Sequence, residues 1–191
     1  MSKVTIAGDV NGTGVFTIAA PNGNTNRTLT LPDSTGTLLS TATPGVPVNG
    51  PTFFATLSAN QSISNNVQTK LTFNTETFDT NNCFDTSTNR FTPTVAGYYQ
   101  VNLIAQVAGT AGRNYVFEAS LFKNGLRTIR NATALTLGTG QDFAGCVHAI
   151  MYMNGSGDYL EAYFYEYDYS AQGGVSASTF STFSAALVRA A

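Results

Sequence analysis

Apolar and polar residues alternate through most of residues 51–191, and this pattern predicts long β-strands. From Tyr99 to Val107 every second residue is apolar, and the positions between them hold Gln100, Asn102, Ile104 and Gln106. Successive side chains of a strand point to opposite faces of its sheet, so this segment has one buried face and one outer face. Asn124-Gly125 separates two further alternating segments and predicts a tight hairpin. We expect about eight to ten strands and no helix, which makes the fold class all-β, a sandwich or jelly roll.

Residues 1–43 have a different texture. Their apolar runs are short and are broken by turn dipeptides such as Asn11-Gly12, and each has too few apolar positions to bury a core of its own. This segment must therefore pack on copies of itself or on a larger host structure. The Pro- and Gly-rich residues 44–51 are predicted to be a stiff linker. The sequence thus predicts an N-terminal β segment (1–43), a linker (44–51) and a β-sandwich domain (52–191).

The composition is poor in charge. Charged residues make up 10% of the 191 residues and the formal net charge is -2, whereas about 25% of an average soluble domain is charged. This excludes the basic footprint of a nucleic-acid-binding protein and suggests that much of the surface is shared with neighbouring subunits. No apolar run approaches the roughly 18 residues of a membrane span, and the N-terminus lacks the apolar core of a signal peptide. We therefore expect neither membrane insertion nor ordinary secretion.

No residue pattern indicates catalysis or a cofactor. His148 is the single histidine, and nothing marks a hydroxyl or carboxylate partner for it. Glu161 and Glu166 have opposite parity on one predicted strand, so they cannot flank one glycosidic bond as a glycosidase requires. Cys83 and Cys146 are the only cysteines and are predicted to be partly buried free thiols. We therefore expect no enzyme and no cofactor. We also expect no metal site, because the loop aspartates lack the dense spacing of calcium ligands. These aspartates are Asp79, Asp85, Asp142 and Asp158.

The segment "YLEAYFYEYDY" is unusually rich in tyrosine. Leu160, Ala162 and Phe164 form a face suited to the core. The opposite face is a candidate ligand-binding site, because exposed tyrosines stack on sugar rings and donate hydrogen bonds. The more ordinary use of such a face is a solvent-exposed ladder or a contact with a neighbouring subunit. The candidate ligand-binding residues are Tyr159, Tyr163, Tyr165 and Tyr167.

Several short pieces follow one another in order within residues 51–189: Asn82 to Asp85, "TSTNRFTPTVAGYYQV", "LFKNG", Gly157-Asp158 and "FSTFSAALV". Together they resemble the globular-head jelly roll of complement component one-q and the tumour-necrosis-factor superfamily. In that family a "TGxFT…PGxYxF" block precedes a central strand and "FSGFLL" ends the domain. Here Ala96-Gly97 replaces Pro-Gly, and Ser181-Thr182 replaces Ser-Gly.

This resemblance implies a homotrimer. The family's strands after Gly97, near Val147 and at the C-terminus line the threefold axis, while Phe183, Ala185 and Leu187 would fill the core. We also expect Phe91, Tyr99, Val101, Leu103, Leu160 and Phe164 to be buried. The implied trimer-interface residues are Gln100, Asn102, Ile104, Val147, Thr182, Ser184 and Ala186.

Residues 13–40, "GVFTIAAPNGNTNRTLTLPDSTGTLLS" with its flank, resemble the short repeats near the N-termini of tailed-bacteriophage fibre and virion proteins. The two resemblances together imply a virion surface protein, either a tail or head fibre or a capsid decoration, made in the bacterial cytoplasm. Its partners would be its own copies, phage capsid or tail proteins and a host-surface glycan. The alternative is a free carbohydrate- or receptor-binding module with no virion role. The implied virion-attachment residues are Val15, Phe16, Ile18, Leu29, Leu31, Leu38 and Leu39.

Overall fold

The computed structural model of the chain describes residues 50–170 and 174–191, together with isolated positions between residues 11 and 28. The chain divides into two units, Met1–Thr37 and Leu38–Ala191. In the described ranges all the regular structure is β, and no helix there has the length and apolar character needed to cross a membrane. The strands are β1 (Thr52–Thr56), β2 (Gln61–Ile63), β3 (Thr69–Lys70), β4 (Thr75–Asp79), β5 (Phe84–Asp85), β6 (Arg90–Phe91), β7 (Gly97–Ala108), β8 (Asn114–Lys123), β9 (Leu126–Thr136), β10 (Asp142–Met153), β11 (Leu160–Asp168), β12 (Val175–Ala177) and β13 (Thr182–Ala190).

The strands form two antiparallel sheets. In sheet A, β10, β7, β13, β1 and β4 lie side by side in that order, and the short β12 and β2 extend the sheet beyond one end of β13 and β1. In sheet B the order is β5, β6, β11, β8 and β9, with β3 also paired to β11. The main pairs are nested along the chain: β1 with β13, β6 with β11, β7 with β10, and β8 with β9. Nested pairing of this kind is the jelly-roll arrangement. The predicted all-β jelly roll is confirmed.

The hairpin between β8 and β9 is built as its sequence predicts. Asn124 and Gly125 both have positive φ, 54° and 78°. A two-residue type I′ turn requires positive φ at both central positions, and Asn-Gly is its preferred pair. The turn therefore matches the right-handed twist of the strands that it joins.

The core lies between the inner faces of the two sheets. The inward residues of β7 and β11 are fully buried, because alternation brings every second side chain of each strand to this side. Stacked and edge-on phenyl rings fill one end of the core; Phe53, for example, lies 4.6 Å from Phe84 and 4.7 Å from Phe91 between ring centroids. The Tyr99 hydroxyl donates to the Val95 carbonyl at 2.7 Å, which satisfies the one polar atom of this buried side chain. The predicted core residues are confirmed as buried: Phe91, Tyr99, Val101, Leu103, Leu160 and Phe164.

Two positions differ from the sequence prediction. Val147 does not face outward with the predicted interface residues, because it lies opposite Leu103 in the register and is 3% exposed in the core. Its neighbours Cys146 and His148 occupy the outer face instead. The resemblance implies that Leu187 lies in the core with Phe183 and Ala185, but Leu187 is only half-buried. A register shift between Leu187 and Arg189 ends the regular alternation of β13 at this point.

Candidate functional site

The outer face of sheet A has a central region without charged residues. Three rows of side chains cross β10, β7, β13 and β1 in register, and we call these twelve residues the central face. Among them, none is Asp, Glu, Lys or Arg, in keeping with the low charge of the whole chain. The rows are Ile150, Gln100, Ala186 and Thr52; His148, Asn102, Ser184 and Phe54; and Cys146, Ile104, Thr182 and Thr56.

Exposed apolar side chains lie on and around the central face. Ile150 is 62% exposed. Phe54 lies opposite Phe78 of β4, with their ring centroids 6.2 Å apart, and Phe78 is 47% exposed. At the β10 side, Tyr98 and Tyr152 lie 5.5 Å apart between centroids. An uncharged face with exposed aromatic and aliphatic groups has the composition of the buried centre of a protein–protein interface.

Six of the seven predicted trimer-interface residues share the central face: Gln100, Asn102, Ile104, Thr182, Ser184 and Ala186. Their contact with another copy stays a prediction. The family resemblance does not include Ile150, Phe54 or Phe78 in this surface. The alternation in β10 does indicate the position of Ile150. Val147, Met151 and Met153 are spaced by even numbers of residues and face the core, so Ile150 must lie on the outer face.

The outer face of sheet B holds the four tyrosines of the predicted ligand site, and each has a partner within the chain. The Arg90 guanidinium lies 4.1 Å from the Tyr159 ring centroid. Tyr163 packs against the Phe122 ring at a tilt of 35°, with centroids 4.1 Å apart. The Tyr165 hydroxyl donates to Asn66 Oδ1 at 2.7 Å. Tyr167 packs edge-on against Tyr169 at 5.0 Å. The tyrosines therefore form a fixed surface, and ligand binding to it stays a prediction.

Buried carboxylates with paired cations organise the same face. Glu161 is 3% exposed, and its Oε1 accepts from Lys70 Nζ at 2.6 Å and from Arg90 Nε at 2.9 Å. Burial works to raise the pKa of Glu161, but the hydrogen bonds from Lys70 and Arg90 hold it below its ordinary value. The carboxylate is thus ionised at neutral pH, and the pairing fixes β3 and β6 against β11.

A second carboxylate, Glu118 of β8, lies at the bottom of an open groove. Its Oε1 accepts from Arg127 Nη1 at 2.8 Å and its Oε2 accepts from Arg130 Nη1 at 2.9 Å. Asn66, Gln68 and Tyr165 line the opposite side. We call these six residues the arginine groove, and its volume is about 390 Å³. The tyrosine-rich pattern predicted one of its residues, Tyr165, whereas the lining as a whole comes from three separate segments of the chain and has no local sequence signal.

Glu166 of β11 differs from both, because its side chain faces the core. It is fully buried, and within the described residues neither carboxyl oxygen has a hydrogen-bond partner. Burial, together with the neighbouring Asp168 carboxylate, raises the pKa of Glu166 to about 7. Asp168 itself is paired with Arg113 at 2.9 Å. Glu161 and Glu166 lie on opposite faces of β11, as their parity predicts, and so do not form a catalytic carboxylate pair.

The remaining predicted residues do not form a site in the described structure. Cys83 is buried and Cys146 half-buried, both as free thiols. In the described ranges, no three side chains of His, Cys, Asp or Glu come together in a way that could hold a metal ion. Of the predicted attachment residues, Val15 is 91% exposed. The others lie outside the described residues: Phe16, Ile18, Leu29, Leu31, Leu38 and Leu39.

The chain matches no family model and no curated protein. Among solved structures, it is similar to the globular domain of zebrafish complement 1qA protein, with 13% identity over 74% of this chain and 99% of that chain and a TM-score of 0.49. It is also similar to the structure of Eiger TNF from S. frugiperda, with 11% identity over 78% of this chain and 96% of that chain and a TM-score of 0.46.

Proposed function

We propose that the protein is a non-enzymatic structural protein of a tailed-bacteriophage virion. It is a homotrimeric surface fibre or capsid decoration, anchored by residues 1–43 and displaying the jelly roll outward. The observation that carries this proposal is the contrast between the two outer faces of the sandwich. The central face of sheet A is free of charged residues, whereas the outer face of sheet B carries ion pairs around Glu118 and Glu161.

This contrast assigns a different role to each face. Covering the central face with another copy removes Ile150 and Phe54 from water without burying an Asp, Glu, Lys or Arg side chain of that face, and burial of apolar area is the main favourable term in association. The outer face of sheet B would have to desolvate several ion pairs to be covered in the same way, which is costly. It is therefore suited to stay in solvent, where its tyrosines and polar groove are available to a ligand.

The virion role is supported by the N-terminal segment. Residues 13–40 resemble the repeats of phage fibre and virion proteins, and the segment is too short to bury a core of its own. We assign it to attachment, with the linker 44–51 holding the jelly roll at a short distance from the particle. A host-surface glycan is the ligand that we assign to sheet B, since tyrosines and paired polar groups are common in sugar sites.

Incorporation into phage particles tests this function. A chain lacking residues 1–43 should fold as the jelly roll and be absent from purified particles, whereas the full chain should be present and be labelled by a specific antibody in electron micrographs. If the truncated chain joins particles normally, attachment resides in the jelly roll, and the protein is a cement bound by a face of its sandwich. If the full chain is also absent from particles, the protein is a free binding module.

A further inference from the structure

The arginine groove has more positive charge than its partners balance. Glu118 is 5% exposed beneath two guanidiniums whose side chains are 46% and 59% exposed. One carboxylate can neutralise only one of the two arginines, so Arg127, Arg130 and Glu118 together carry one net positive charge. Each guanidinium has five N–H donors, and in the part of the chain that the structure describes each makes a single hydrogen bond, through Nη1. Donors therefore remain for a ligand.

The two arginines of the groove differ from the other cations of sheet B. Lys123 pairs with Asp158 and Arg113 with Asp168, one cation to one anion. Lys70 and Arg90 also share one carboxylate, Glu161, but Lys70 Nζ donates to the Thr88 carbonyl as well, and the Arg90 guanidinium lies over the Tyr159 ring. In the described structure Arg127 and Arg130 have Glu118 as their hydrogen-bond partner and no other. The whole chain has a net charge of -2. An isolated pair of arginines on such a chain fits a small anionic group and lacks the basic stripe that a nucleic-acid backbone requires.

The opposite side of the groove is polar and held in place. The Asn66 backbone N–H donates to the Glu166 carbonyl at 2.8 Å, and the Asp168 N–H donates to Asn65 Oδ1 at 2.9 Å, so the loop is fastened to β11. Asn66 Oδ1 accepts from Tyr165, and Gln68 Nε2 donates to Ser120 Oγ at 3.2 Å. These contacts leave the Asn66 amide nitrogen and the Gln68 amide oxygen to face a ligand. Together they offer a donor and an acceptor, as the hydroxyls of a sugar require.

From these features we propose that the arginine groove binds a carboxylate-bearing sugar unit of an acidic polysaccharide. Arg127 and Arg130 take the carboxylate, since a planar guanidinium matches it with paired N–H···O bonds. Asn66 and Gln68 bind ring hydroxyls, and Tyr165 supplies an aromatic edge. A groove of about 390 Å³ is at the small end of ligand sites, which fits one or two sugar units. The proposal deepens the glycan role proposed above by naming the class of sugar and the residues that select it.

Calorimetric titration of the full chain at low salt tests this assignment. The probes are three acidic oligosaccharides: tetragalacturonate, a glucuronate–N-acetylglucosamine tetrasaccharide and an oligosialic acid. The methyl ester of tetragalacturonate serves as the neutral control. We expect at least one acidic probe to bind and the neutral control to bind at least tenfold more weakly, because the charged hydrogen bonds are lost. The proposal would be overturned if none of the three acidic probes bound. It would also be overturned if tetragalacturonate bound and its methyl ester bound with equal affinity.

Two matched variants separate the groove from general charge attraction. Arg130→Gln removes one exposed guanidinium and leaves Glu118 paired with Arg127, so folding is preserved and affinity for the acidic probe should fall about tenfold or more. Lys123→Gln removes one positive charge of the same sheet outside the groove, and affinity should change less than about twofold. Equal losses in the two variants would contradict the proposal. Sedimentation of the same samples reports the oligomeric state independently of probe binding. A trimer that binds no probe would therefore contradict the sugar-binding proposal and leave the assembly proposal intact.

Discussion

His148 Nδ1 lies 3.0 Å from Asn102 Oδ1 in the middle of the central face of sheet A. Gln100 Nε2 donates to the same oxygen at 3.2 Å. These three polar side chains therefore meet part of one another's hydrogen-bonding needs within a single chain. This lowers the free-energy cost of removing them from water when another copy covers the face, because a buried polar group is costly mainly when it is unpaired.

A charge placed on the central face should break the assembly. Ala186 is exposed, and it lies in register with Gln100 and Thr52. In a lone chain Ala186→Glu should change the free energy of unfolding by less than about 0.5 kcal/mol, as exposed substitutions usually do. In an assembly the carboxylate would be buried without a partner, so sedimentation should show single chains.

The matched control for this variant is Ala134→Glu. Ala134 is also an exposed strand alanine, but it lies on β9 at the outer face of sheet B. It should leave the oligomeric state unchanged. An Ala186→Glu chain that sediments like the unmodified protein would place the subunit contact on another surface.

Phe91 should contribute strongly to the stability of the fold. It is fully buried between Phe53 and Tyr99, with ring centroids 4.7 and 5.5 Å away. Phe91→Ala should lower the free energy of unfolding by roughly 3 to 5 kcal/mol, the usual effect of truncating a core aromatic residue. Denaturant titration at fixed protein concentration measures it. Phe180→Ala, at a site 73% exposed, is the control and should have little effect. Equal midpoints for the two variants would be incompatible with this core.

The buried Glu166 should make stability depend on pH. Its pKa is raised to about 7 in the folded chain, so the neutral carboxyl is the form that the fold favours. Its contribution to stability is complete below the ordinary pKa of 4.5 and is lost as pH rises through about 7. The melting temperature should therefore fall between pH 5 and pH 8 in the unmodified protein.

The variant Glu166→Gln should flatten this decline, because an amide does not titrate. Asp168 and Glu161 have lowered pKa values, so their effects on stability appear in more acidic solution and leave this window to Glu166. Melting curves of the two proteins at matched pH give the comparison. Parallel declines in both proteins would mean that another group causes the pH dependence.

The sandwich was predictable because its strands alternate strictly and its turn residues are specific. Asn124 illustrates both what a short motif predicts and what it does not. Its side chain donates to Asp158 Oδ1 at 2.8 Å and accepts from the Tyr159 N–H at 2.9 Å, so the β8–β9 turn is hydrogen-bonded to the turn before β11. The sequence contains both turns in order, and their contact is a property of the fold. Val147 shows what the sequence does not determine. The family resemblance places Val147 on a strand at the trimer axis, but only its register with Leu103 shows that its side chain faces the core.

The arginine groove was not predictable in the same way. Its residues come from the loop before β3, from the two strands of the β8–β9 hairpin and from β11. No local pattern indicates that Glu118 is buried or that both arginines converge on it, since ion pairing depends on three-dimensional proximity. Of the groove residues, the sequence pattern marks Tyr165 alone, through the spacing of tyrosines along its strand. The low content of charged residues likewise suggests that part of the surface is shared with neighbouring subunits, but it does not show that this part is on sheet A.

The mass of the 191-residue chain in solution tests the central claim that the central face of sheet A joins copies of the chain. Sedimentation equilibrium at micromolar concentration should give one species of three chains, each of 20.2 kDa. The species should persist at high salt, because contacts without charges are not screened. A single monodisperse chain under these conditions would contradict the account.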